Sequence, residues 1–78
     1  MAPVHPAIQY LNDNGSELDF TRASVWVDPD YCPPNDDKTF RVDLPNEDVF
    51  VIVYLPGAVG LNGSEVGGEY GDYEEFEK

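Results

Sequence analysis

The sequence predicts a mainly β fold, a small antiparallel sheet of four to five strands followed by a glycine-rich acidic C-terminal segment. Three observations carry this expectation. Residues 49–55, Val-Phe-Val-Ile-Val-Tyr-Leu, are an unbroken apolar run of β-branched and aromatic types, the pattern of a strand covered on both faces. Residues 38–44 alternate, with Phe40, Val42 and Leu44 on one side and Thr39, Arg41 and Asp43 on the other, which describes a half-buried strand. Residues 24–27, Ser-Val-Trp-Val, share this chemistry and stop at Asp28-Pro29, where proline removes a ladder donor.

Turn chemistry orders these strands. Pro45-Asn46-Glu47-Asp48 joins the second and third as an antiparallel hairpin. Residues 28–37 hold three prolines and four aspartates, so they are expected to form an exposed loop rather than a ladder. Near the N-terminus, residues 7–11 and 16–20 flank Asn14-Gly15 and fit a hairpin, with Leu18 and Phe20 inward and Glu17 and Asp19 outward. The alternative is an α+β arrangement with a short terminal helix, here one started at Pro6 and stopped by Gly15. Residues 1–56 read as the β core and residues 57–78 as a polar, open segment of the same single domain. In that segment Tyr70, Tyr73 and Phe76 are spaced as on a helix, although Gly71 weakens one.

Charge is the strongest clue to function. Sixteen acidic residues against four basic ones give the 78-residue chain a net charge of −12, which opposes compaction unless salt or a basic partner relieves it. An apolar share of 41% with ten aromatic residues still argues for a folded core. Residues 28–48 and 57–78 each carry a net −5, so the negative charge is concentrated outside the central strand.

Several function classes are disfavoured. Cys32 and His5 are the only residues of their kinds, so neither a disulfide framework nor a soft-ligand zinc site is expected, and no cofactor is called for. The loop ligands Asp28, Asp30, Asn35, Asp36 and Asp37 lack the order of a calcium loop and are better explained as turn formers. Catalysis is not expected, since His5 has no adjacent nucleophile and the carboxylates around Cys32 disfavour a thiolate. Asn14-Gly15-Ser16 and Asn62-Gly63-Ser64 match a glycosylation pattern but read as turns. Trp26 is expected to pack inside. No signal-like N-terminus or bilayer-length run is seen, and an anionic membrane would repel the chain, so a cytoplasmic setting is expected.

Paired carboxylates supply a specific chemistry. Two residues apart on a strand, they lie on one face about 6.5–7 Å apart, roughly twice the ~3.4 Å axial rise of phosphates along one DNA strand. The chain offers Glu17 with Asp19, Asp28 with Asp30, Asp72 with Glu74 and Glu75 with Glu77, besides the adjacent Asp36-Asp37 and Glu47-Asp48. Adaptation to concentrated salt is a competing explanation for so many acids with only Lys38 and Lys78 as lysines.

By length, charge, acidic pairing and a compact β-rich core, the chain resembles small acidic phage proteins that mimic DNA, especially anti-CRISPR proteins and inhibitors of restriction or DNA-repair enzymes. No motif is shared. The resemblance implies a non-enzymatic inhibitor, acting in the cytoplasm of the host cell, that blocks a basic DNA- or RNA-binding site, such as the channel of a CRISPR-Cas or other defence complex. The partner expected is a basic protein, with no direct nucleic acid or membrane contact. Candidate binding residues are Asp28, Asp30, Asp36, Asp37, Glu47 and Asp48 in the loops, with Glu69, Tyr70, Asp72, Tyr73, Glu74, Glu75 and Glu77 in the tail. An immunity protein for a basic toxin, or a halophilic or metal-binding domain, is the alternative.

Overall fold

A computed structural model describes residues 5–14, 22–33, 37–45 and 47–78. One helix, α1 (Pro6–Asp13), packs on a four-stranded antiparallel sheet of β1 (Ser24–Trp26), β2 (Thr39–Asp43), β3 (Val49–Tyr54) and β4 (Asp72–Glu77), in the spatial order β1-β2-β3-β4. The mainly β expectation holds, and so do the hairpin between β2 and β3 and the buried central strand. Along β3, Phe50, Val51, Ile52 and Val53 are all buried.

Strand alternation divides the sheet into two faces. Register places Val25, Val42 and Val51 in one row and Phe40, Val53 and Tyr73 in another, on the face that receives α1. There Ala7 and Leu11, one helical turn apart, close the core over Val42, Leu44, Val51 and Val53. The opposite face carries Trp26, Arg41, Ile52 and Glu74 in one row and Asp43, Phe50 and Phe76 in the next.

Three local expectations are corrected. Residues 6–13 are helical, the α+β alternative, where the Asn-Gly signal had favoured a hairpin. Pro6 supplies a preset first-turn φ, the His5 Nδ1 accepts the Ala7 N–H at 3.0 Å, and the Asn14 amide caps the Tyr10 carbonyl at 2.7 Å. The proposed second arm, with Glu17, Leu18, Asp19 and Phe20, lies outside the described residues.

The second correction concerns residues 28–33, which are not wholly exposed: Asp28, Cys32 and Pro33 are buried. Backbone N–H groups of Tyr31 and Cys32 both donate to the Asp28 carbonyl, folding the segment back over the sheet. This is how a proline-rich stretch unable to join a ladder still covers the face opposite α1.

The third concerns the C-terminal segment, which is neither open nor helical. Its loop is laced by Gly57 N–H to Gly68 carbonyl (2.9 Å), by Val66 and Gly67 N–H to Ala58 carbonyl (both 3.0 Å) and by a bridge between Val59 and Glu65. The Asn62 side chain accepts the Ser64 N–H at 3.1 Å, the expected turn. Gly71 then turns the chain into β4 at a φ of 80°, where an added Cβ would lie 2.8 Å from both the Tyr54 carbonyl oxygen and the Tyr10 ring.

Candidate partner interface

The acidic tail is an edge strand, and its sequence follows from that position. In Asp72-Tyr73-Glu74-Glu75-Phe76-Glu77 the two aromatics are three apart, so a strand sends them to opposite faces. Tyr73 meets Tyr10 of α1 edge-on, with ring centroids 6.4 Å apart. Phe76 stacks on Phe50 at 5.5 Å on the other face, under Tyr31. Both are half-buried, whereas the four carboxylates between and beside them are exposed. β4 is thus pinned from both sides by apolar contacts and presents charge everywhere else.

The carboxylates fall into two same-face pairs. Asp72 and Glu74 accompany Phe76 on the face covered by residues 28–33, and Glu75 and Glu77 accompany Tyr73 on the helix face. Two phenols sense Asp72, and one of them also senses Glu74. Burial, then the charges of Glu74, Cys32 and Asp72, hold Tyr54 above its usual ionisation range, and burial with Asp72 and Tyr73 does the same to Tyr10.

Other acidic residues gather at this strand. The Tyr31 ring lies 5.2 Å from that of Phe76, which brings the exposed Asp30 to the face of Asp72 and Glu74. At the far end the Lys78 N–H donates to the Asp48 carbonyl at 2.8 Å, so the exposed Asp48 adjoins the end of β4, with the exposed Glu47 before it in the chain. Glu69 and Tyr70 are exposed on the approach to β4, with Tyr70 80% accessible and not anchoring the segment. Asp37 is exposed before β2, separated from β4 by β3, and Asp36 lies outside the described residues.

Asp28 has a different task from the one its sequence pairing with Asp30 suggested. It is 4% exposed and holds Arg41 Nη1 at 2.6 Å, while Asp43 takes the Arg41 Nε and Nη2, each at 2.9 Å. The Arg41 guanidinium lies 3.8 Å above the Phe50 ring centroid and 5.0 Å from that of Trp26. Trp26, half exposed rather than enclosed, donates its indole N–H to Asp43 at 2.5 Å. The Asp30 backbone N–H and Arg41 hold the Asp28 carboxyl below its ordinary range. Burial opposes ionisation of Asp43, but hydrogen bonds from Arg41 and Trp26 and the charges of Arg41 and Lys78 outweigh it and lower its range too. Alternation in β2 and the Asp-Pro stop after β1 were visible in sequence, but not that the loop would fold back and deliver Asp28 to Arg41.

Among the described residues no group of three or more histidine, cysteine, aspartate or glutamate side chains is arranged to hold a metal ion. No described helix is long and apolar enough to cross a membrane. No protein-family model matches the chain, and comparison with curated proteins and with solved structures likewise returns no match.

Proposed function

We propose that this protein is a non-enzymatic binder whose acidic β4 edge occupies a basic protein surface that otherwise holds DNA or RNA. The observation that carries the reading is the array along β4, where four of six residues are exposed carboxylates and the other two are the apolar anchors. At a rise of about 3.4 Å per residue the strand lays its charges over roughly 17 Å, in same-face pairs about 7 Å apart. Lysine and arginine side chains that neutralise successive phosphates can meet such a ladder with little rearrangement. Glu47, Asp48, Asp30 and Glu69 extend the negative field around it and steer encounter, while Tyr70 offers apolar area for contact.

The partner class is a nucleic-acid-binding protein of a host cell's cytoplasm, with defence complexes that hold nucleic acid in a basic channel as the leading candidates. Immobilised protein should capture such a partner from lysate at low salt and release it at high salt. A quadruple variant, Asp72→Asn with Glu74→Gln, Glu75→Gln and Glu77→Gln, should capture none of it. Equal capture by the variant would refute the reading.

A further inference from the structure

We propose, building on that reading, that the partner engages β4 as a strand: an extended, lysine- or arginine-bearing segment pairs with the outer edge of β4 and extends the sheet to five strands. The feature that carries this is the backbone of β4, and the charge selects the occupant. β4 is the terminal strand of the sheet, and no described segment pairs with its outer side.

The hydrogen-bonding phase of that edge follows from two bonds. Leu55 N–H donates to the Lys38 carbonyl at 2.8 Å, which directs the odd-numbered residues of β3 toward β2. The even-numbered ones, Phe50, Ile52 and Tyr54, therefore bond to Phe76, Glu74 and Asp72. Lys78 N–H to Asp48 carbonyl continues the same phase. By alternation the N–H and C=O groups of Tyr73, Glu75 and Glu77 point away from the sheet. The Tyr73 N–H is already taken by the Asp72 carboxylate at 2.8 Å. That leaves the Tyr73 carbonyl and both groups of Glu75 and Glu77 as the pairing register.

Side chains decide what can dock there. Directly opposed residues on neighbouring strands have Cβ atoms about 4.5–5.5 Å apart, and like charges so placed repel. A second copy of this chain would bring β4 carboxylates beside β4 carboxylates, which disfavours edge-to-edge self-association. A basic strand meets Asp72 and Glu74 on one face and Glu75 and Glu77 on the other, so its alternating side chains find carboxylates on both. The opposite edge, β1, has three residues and no carboxylate.

The test uses the full-length isotopically labelled protein at low salt and an eight-residue peptide of alternating lysine and valine. A second peptide of the same sequence is N-methylated at every residue, which keeps its charge but removes the donors of both edges. The plain peptide is expected to shift and protect the amides of Glu75 and Glu77 from exchange, and to bind at least tenfold more tightly than the methylated one. Equal binding of both without protection of those amides would overturn strand pairing while leaving a charge-driven interface intact. Failure of both peptides to bind would overturn the proposed interface as well.

Discussion

Tyr31 and Phe76 stand with ring centroids 5.2 Å apart, and through this contact the covering segment of residues 28–33 rests on the edge strand. Phe76 also stacks on Phe50 with an interplanar angle of 19°, so one side chain joins the loop, the central strand and β4. Phe76→Ala should lower stability by about 2 kcal/mol, below the 3–5 kcal/mol of a fully buried phenylalanine because Phe76 is half-buried. Chemical denaturation gives the value. Hydrogen exchange should then show β4 and residues 28–33 opening together, and independent opening would contradict the coupling.

Arg41 holds two carboxylates whose ionisation it favours, and this sets an acid limit. Asp28 and Asp43 both titrate below the ordinary 3.8 in the folded chain, so their stabilisation is complete above about pH 4. It is lost as pH falls through the depressed range. Arg41→Met should lower Tm by about 8 °C near neutrality, leaving Asp28 buried without its cation. The gap between variant and parent should narrow as pH falls through that depressed range and those carboxylates take up protons. A gap independent of pH would mean that Arg41 acts through packing alone.

Entry into β4 depends on Gly71. Its φ of 80° disfavours any side chain, and a Cβ would press on Tyr54 and Tyr10. Gly71→Ala should cost about 3 kcal/mol, whereas Gly63→Ala, at a φ of 82° with open space around it, should cost about 1 kcal/mol. Thermal melts of the two variants side by side provide the check, and equal losses would place the cost in φ alone.

Repulsion among twelve uncompensated charges predicts a salt response. Raising sodium chloride from about 10 mM to 0.5 M should increase Tm by roughly 5 °C as the Debye length falls from about 30 Å to a few ångströms. The quadruple β4 variant should gain less. Identical gains would show that the strain lies elsewhere in the chain.

Much of this fold was legible because its patterns are local. The apolar run of β3, the alternation of β2 and the turn at Pro45 each specify themselves, and the hairpin follows from their order. Helix α1 was obscured by the hairpin signal of Asn14-Gly15 in the sequence, whereas Asn14 in fact caps the helix at the Tyr10 carbonyl. β4 was obscured by the three-residue spacing of Tyr73 and Phe76, which suits a helix but also suits an edge strand anchored on both faces. The acids two apart in the tail were visible in the spacing, but that each pair shares a face follows from the strand. The loss of Asp28 to Arg41 was not visible, because it depends on a chain reversal across 13 residues.

The most direct measurement is competition at the captured partner. A labelled duplex or single-stranded oligonucleotide is bound to the recovered protein, and this chain is titrated in at low salt. The account predicts full displacement by the parent chain, with loss of at least tenfold in potency for the quadruple β4 variant. A stable ternary complex holding partner, nucleic acid and this protein together would contradict it and would mark an antidote-like contact at a separate surface.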